Sequence, residues 1–313
     1  MPFLFADTVL TSGNSSHKIG VMHRLIIILI ASLFFSAETK AKEPAVLITA
    51  EWLNDNINNP ELVLLQVNYL RYDYEAEHIK GARLLWPDWL AADSPDGNFN
   101  PPDPAEATKV LQQLGINKNS RVILYHTRGD VTVTARMFVT LEYLGLTGRV
   151  HYLNGGLEAW KKAGYTVTTE MPVVKKGNFV TSINKVLVDK DYVLTSLQSP
   201  SAIVVDARVK RFFDGDPTGN PRDGHITGAK NIPYPDLLDS SFQFKHIDQL
   251  TGYFQPVVPD KKTEIVTYCF IGQTASVVYM AGRFLGYNMK VYDGSMQEWS
   301  RKEYLPMEKT KKD

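Results

Sequence analysis

The chain reads twice through one plan, and this duplication limits its fold more than any other feature. His78-Ile79-Lys80-Gly81-Ala82 follows an apolar run at residues 62–67, and His225-Ile226-Thr227-Gly228-Ala229 follows residues 202–205 and Asp206-Ala207-Arg208. Farther on, Val122-Ile123-Leu124-Tyr125-His126 matches Ile265-Val266-Thr267-Tyr268-Cys269, each an apolar strand entering a turn with a glycine, Gly129 or Gly272. Helical segments follow and end near Leu144-Gly145 and Leu285-Gly286, before the short strands Val150-His151-Tyr152-Leu153 and Lys290-Val291-Tyr292. Both copies close on a turn and a tryptophan helix, Asn154-Gly155-Gly156-Leu157-Glu158-Ala159-Trp160 and Asp293-Gly294-Ser295-Met296-Gln297-Glu298-Trp299. Matching landmarks lie about 140–147 positions apart, which is the size of a domain and not of a solenoid repeat.

Short apolar strands alternating with amphipathic helices predict a parallel sheet flanked by helices, because only strands covered on both faces are apolar throughout. The fold class is α/β, with two such domains in tandem at 42–168 and 179–313. The linker is placed at 169–178, where Glu170-Met171-Pro172 and Lys175-Lys176-Gly177 break the periodicity. A length of 313 residues, 44% apolar and 22% charged, suits two globular domains. The formal net charge of zero leaves no basic excess for nucleic acid. One cysteine excludes an internal disulfide and a cysteine-rich zinc site, and nothing calls for a metal or a cofactor.

Residues 1–41 are set apart as an extension. Residues 25–35 (LIIILIASLFF) form an uncharged apolar run behind Met22-His23-Arg24. That run is too short for a membrane span of about 20 residues, but it suits a secretory signal with small residues at Thr39 and Ala41. Cleavage near Ala41 is expected to leave a periplasmic or secreted chain without a stable span, with Met22 as the true start; an uncleaved anchor is the alternative. In an oxidising compartment Cys269 has no internal partner.

The pattern puts Cys269 between a buried strand and a helix N-terminus, at the carboxyl edge of a parallel sheet. Open α/β folds carry their chemistry there, and free N–H groups with the helix dipole favour an anion. Such surroundings turn a thiol into a thiolate. A buried, inert cysteine is the competing account. The first copy serves as an internal control: it has His126 at the same place. The fold does not need a cysteine there, which assigns the thiol to chemistry.

Taken together, His-Ile-x-Gly-Ala, Tyr-Cys-x-x-Gly-x-Thr-Ala and Asp-Gly-x-x-x-Trp resemble the tandem-domain rhodanese family, the thiosulfate and 3-mercaptopyruvate sulfurtransferases. The likeness runs from about residue 48 to 305. It implies a catalytically silent first domain and an active cysteine, Cys269, in the second. It further implies a thiolate that takes the sulfane sulfur of a small anionic donor as a persulfide and passes it to cyanide or a thiol. The local residues make this reasonable: the amides of Phe270, Ile271, Gly272, Gln273 and Thr274 can curl into an anion cradle, and Gly272 allows the positive φ. The Thr274 hydroxyl is expected to bond the sulfur or to cap the helix.

By the family pattern, Arg211 and Arg208 are the candidates for anchoring the donor, although Arg211 falls about one residue out of register and Arg208 could instead pair with Asp206. Arg222, in a glycine-bearing loop, is expected to be a solvated charge. Phe270 and Ile271 stand where thiosulfate-type enzymes carry basic residues and mercaptopyruvate-type enzymes small ones. They predict an apolar rim and weakened capture of a doubly charged donor, which leaves room for a protein persulfide or a larger organic donor. His126 is expected to be a partly exposed turn residue, and His78 and His225 structural hydrogen-bonders. Trp86 and Trp89 with Tyr69, Tyr72 and Tyr74 are expected in core or interdomain packing. Rhodanese-fold phosphatases hold phosphate with an arginine six positions after the cysteine; here that residue is Ala275. The remaining rival is a non-enzymatic periplasmic sulfur-relay or binding module. The oligomeric state is left open.

Overall fold

The computed structural model describes residues 46–92, 100–128 and 131–310. The segment read as an extension and signal lies outside the described residues. The first domain runs β1 (Leu47–Ile48), α1 (Ala50–Asn56), β2 (Leu62–Val67), α2 (Arg71–Ala76), β3 (Arg83–Leu85), α3 (Pro104–Gln113), β4 (Arg121–His126), α4 (Val131–Leu141), β5 (Val150–Leu153) and α5 (Gly156–Lys162). The second runs β6 (Leu187–Val188), α6 (Lys190–Leu197), β7 (Ala202–Asp206), α7 (Lys210–Asp214), β8 (His225–Ile226), β9 (Lys230–Asn231), α8 (Ile247–Phe254), β10 (Glu264–Tyr268), α9 (Ala275–Phe284), β11 (Asn288–Tyr292), α10 (Ser295–Trp299) and β12 (Met307–Glu308). Side-chain caps start several helices: Thr49 accepts from the Trp52 amide, Asp103 from those of Ala105 and Glu106, and Asp189 from that of Tyr192.

Each domain is built on a five-stranded sheet, in the orders β1-β5-β4-β2-β3 and β6-β11-β10-β7-β9. All pairings within both sheets are parallel. β12 adds a short antiparallel pair with β8. The strand order reverses between β2 and β4, and again between β7 and β10. A crevice opens at such a switch, beyond the carboxyl ends of the strands. β4 ends there on His126 and β10 is followed there by Cys269.

The duplication extends to single hydrogen bonds. The hydroxyl of Tyr125 accepts the Ile79 amide at 3.2 Å, and that of Tyr268 accepts the Ile226 amide at 3.1 Å. Each tyrosine therefore ties the strand before the crevice to its own His-Ile-x-Gly-Ala turn. Burial pushes both phenols well above their ordinary pKa.

Residues 44–313 form one compact unit. One apolar cluster runs through both domains and includes Leu65, Leu124, Phe138 and Val139 of the first with Val277, Tyr279, Met280 and Ala281 of the second. α4 and α9, the helices that leave the two crevices, pack on each other. A polar contact is sealed inside this seam. Tyr279 Oη donates to Glu142 Oε2 at 2.5 Å, and Arg283 Nη2 lies 3.1 Å from Glu142 Oε1. Glu142 opens the π-turn Glu142–Leu146, whose Gly145 has φ +103° and rests against the Ser182 backbone. Residues between β5 and β6 are bonded along the first domain, with Gly177 N donating to Gln112 O and Phe179 N to Ile116 O.

Glu142 is buried while Arg283 is partly exposed, so removing the carboxylate leaves the buried Tyr279 hydroxyl without its acceptor and a cation that water can still reach. Glu142→Ala is therefore expected to lower the unfolding free energy by about 2 kcal/mol, and Tyr279→Phe by about 1 kcal/mol, in chemical denaturation.

Candidate active site

Cys269 directly follows β10 at the carboxyl edge of the second sheet and is 1% exposed. Its amide donates to Ser295 Oγ at 3.2 Å, and its carbonyl accepts the Met296 amide at 3.0 Å. The carbonyl of Phe270 accepts the Gln297 amide at 3.0 Å. The turn after β11 therefore holds the cysteine strand end through three bonds. Gly272 takes φ +79°, so the backbone reverses before α9 begins. Among the described residues no acceptor takes up the amides of Phe270, Ile271, Gly272, Gln273 or Thr274. The Ser276 hydroxyl closes the loop from behind, donating to Gly272 O at 2.8 Å.

Thr274 lies at the helix start but makes no capping hydrogen bond, so the expected N-cap role is not seen. Gln273 reaches across the domain seam and donates to Thr132 Oγ1 at 2.6 Å. A cleft of about 660 Å³ opens on this side, bounded by Arg128 and Thr132 of the first domain and Tyr234, Phe242, Gln273 and Thr274 of the second. A larger hollow of about 840 Å³ lies behind the Asp293 turn, by Lys185 and Lys302, and none of residues 270–274 lines it. The smaller cleft is the one that meets the loop.

The three arginines occupy different roles. Arg208 is 2% exposed. Its Nε and Nη2 grip Asp206, with Nη2 to Oδ2 at 2.6 Å, and Nη2 also donates to Gly224 O at 2.7 Å. Burial opposes its charge, but the Asp206 carboxylate outweighs burial and raises its pKa. This is the pairing held open as the alternative in the sequence. The guanidinium still stands 5.1 Å from the centre of the Phe270 ring.

Arg211, on α7, is exposed and lies over Phe212 at 4.5 Å. Phe212 meets Phe270 edge-on at 5.4 Å. The register difference noted in the sequence thus puts an aromatic ring against the active loop and the cation outside it. Arg222 is no solvated charge: it donates to the carbonyls of Trp299, Ser300, Lys302 and Leu305 at 2.7–2.9 Å and clamps the end of α10.

In the first domain the same place is filled. His126 is 3% exposed, not a partly exposed turn residue, and bonds Tyr152 Oη at 2.7 Å while stacking on that ring. A Cβ at Gly156 would collide with His126 O and stand 2.9 Å from the imidazole, and Gly156 takes φ +60°. The second copy has Ser295 there, at φ +48°, with its hydroxyl on the Cys269 amide. The turn presses on the carbonyl and the ring of His126 where glycine stands, whereas the cysteine strand end accommodates a serine. His78 and His225 are structural, with Nδ1 at 2.7 Å from Tyr74 O and from Phe213 O. Of the aromatic stretch, Tyr74 is buried, but Tyr69, Tyr72 and Trp89 are exposed, so packing accounts for only part of it. Among the described residues no group of His, Cys, Asp and Glu could hold a metal ion.

Ser295, Arg136 and Asp293 were not legible as site residues. Arg136 arrives from α4, fully buried, and bonds Asp293 at 2.6 Å. The Gly156/Ser295 difference between the copies was the one available signal.

A Rhodanese-like domain model matches residues 49–163 and 189–302, and the chain belongs to the rhodanese family, in its tandem-domain form. It is similar to a probable 3-mercaptopyruvate sulfurtransferase of Pseudomonas aeruginosa, 32% identical over 82% of this chain and 95% of that protein. The sulfur carrier protein TtuD of Thermus thermophilus is 29% identical over 85% of this chain and 97% of its own. The crystal structure of SseA from Escherichia coli, a 3-mercaptopyruvate sulfotransferase, matches with a TM-score of 0.69 at 26% identity, covering 80% of this chain and 99% of that one.

Gly156→Ala places a Cβ against His126 in a left-handed turn. It is expected to cost about 2–5 kcal/mol in thermal or chemical unfolding, while Gly148→Ala, with open space around its Cβ, is expected to cost less.

Proposed function

We propose that the protein is a sulfurtransferase in which the Cys269 thiolate attacks the outer sulfur of a small anionic donor. The new Sγ–S bond forms as the donor's bond to that sulfur breaks, and the electron pair leaves with the donor remnant. Cyanide or a thiol then attacks the persulfide's outer sulfur and returns the Cys269 thiolate. The observation that carries this reading is the set of unengaged amides in residues 270–274 that directly follow a lone thiol at a sheet switch point. Relatives named as mercaptopyruvate and thiosulfate sulfurtransferases support the donor class.

Arg211 is the proposed outer anchor for the donor's charge. It is solvent-facing and separated from the loop by the Phe212–Phe270 pair, so a donor must bridge apolar rings to meet both groups. That geometry favours an organic donor such as 3-mercaptopyruvate over the compact, doubly charged thiosulfate. A second reading, relay of sulfur to a protein acceptor, is favoured by the likeness to the sulfur carrier TtuD. The apolar run at residues 25–35 supports export to the periplasm or beyond.

Incubation with mercaptopyruvate is expected to add one sulfur to the intact protein by mass spectrometry, removable by cyanide. Cys269→Ser, folded as judged by circular dichroism, is expected to gain none. No gain in reduced wild-type protein with either donor would leave the binding-module reading. Arg211→Ala is expected to raise KM for mercaptopyruvate about tenfold with kcat little changed. The chain recovered from the periplasm is expected to begin near Lys42 by N-terminal sequencing.

A further inference from the structure

We infer that Arg136, supplied by the catalytically silent domain, is a positioning residue for the cysteine turn; this rests on the sulfurtransferase reading of Cys269. Arg136 lies on α4 with no solvent exposure, and its Nη2 holds Asp293 Oδ1 at 2.6 Å. Asp293 opens the turn that carries Ser295, Met296 and Gln297. Those three residues bond the Cys269 amide, the Cys269 carbonyl and the Phe270 carbonyl. The chain of support therefore runs from the first domain's helix through one ion pair to the strand end that presents the thiol. The same guanidinium lies behind the loop itself: a Cβ on Gly272 would stand 3.0 Å from Arg136 Nη1 and 3.2 Å from Asp293 O. Gly272 is favoured by its φ of +79°, and the arginine and the Asp293 carbonyl stand close behind it.

The silent copy separates positioning from general stabilisation. Its corresponding turn carries Asn154, a neutral residue, whose side chain bonds the Phe244 backbone: Nδ2 donates to Phe244 O at 3.2 Å and Oδ1 accepts Phe244 N at 2.8 Å. A buried ion pair is no better for stability than apolar packing of the same volume. An aspartate held by a buried arginine at the active turn, against an asparagine at the silent one, assigns the pair to geometry. Other charged and titratable groups around Cys269 come from its own domain: Arg208 and Asp206 beside β7, and Tyr268 before it. Arg136 is a cation that the second domain does not supply.

Full-length Arg136→Met, Arg136→Lys and Asp293→Asn decide the matter, with mercaptopyruvate as donor, cyanide as acceptor, and iodoacetamide as a separate probe of the thiol. Arg136→Met and Asp293→Asn are expected to lower kcat about 100-fold with donor KM nearly unchanged, and Arg136→Lys to recover part of the loss. The rate of Cys269 alkylation is expected to change in the same order. A folded Arg136→Met with kcat within about threefold of wild type, or one that raises KM alone, would overturn the inference. If Arg136→Met does not fold, the isosteric Asp293→Asn is judged by the same two outcomes. If wild-type protein itself transfers no sulfur, the sulfurtransferase reading fails, and alkylation rates unchanged by Asp293→Asn would then sink the positioning role as well.

Discussion

α9, the helix that leaves the cysteine turn, is also one of the two helices through which the domains grip each other. Its partner, α4, leaves the equivalent turn of the first domain. Because these two helices share a buried seam, neither crevice is shaped by its own domain alone. Thr132 and Arg136 on α4 reach the cysteine loop, and Asn154 beside the first crevice binds the Phe244 backbone of the second domain. The Glu142–Tyr279–Arg283 contact closes the same seam at its other end. Chain duplication usually adds independent units; here it adds half a wall to each site.

The two crevices show how one backbone plan can be filled in two ways. The first is packed solid, with the His126 ring against Tyr152 and a glycine turn pressed on its carbonyl. The second keeps amides without acceptors and a small thiol, closed behind by the Ser295 hydroxyl, which accepts the Cys269 amide, and by the amides of Met296 and Gln297, which donate to the Cys269 and Phe270 carbonyls. Interior packing leaves few voids, so an open group of unengaged amides is a costly arrangement for a fold to maintain without use. The aromatic pair Phe212–Phe270 packs an apolar ring against the first loop residue, with the Arg211 cation on the far side of Phe212.

Much of this was readable from residues that recur. Strand and helix order, the parallel sheets and the place of Cys269 follow from periodicity and repetition, because local pattern decides them. Side-chain destinations were less legible. Arg222 reads as a loop charge, yet it clamps four carbonyls brought together only by the end of α10. His126 reads as a turn residue, yet it is buried at the end of β4, where its ring bonds and stacks on Tyr152 from the neighbouring strand. Arg136 was invisible because its partner lies 157 positions away in another domain, a contact that no spacing rule within one helix could signal. The aromatic stretch around Tyr72 and Trp89 misleads for the opposite reason: apolar composition suggests burial, while large apolar side chains also occur on surfaces.

The contrast between Gly156 and Ser295 also bears on how the two halves could have diverged. A side chain at position 156 would meet both the carbonyl and the ring of His126, so the histidine and the bare turn go together. A cysteine at 126 alone would leave a gap beside Tyr152 and no hydroxyl in the turn to seat its amide. Two positions far apart in the sequence therefore have to agree, and a single exchange at either one, His126→Cys or Gly156→Ser, leaves the first half short of the arrangement seen in the second.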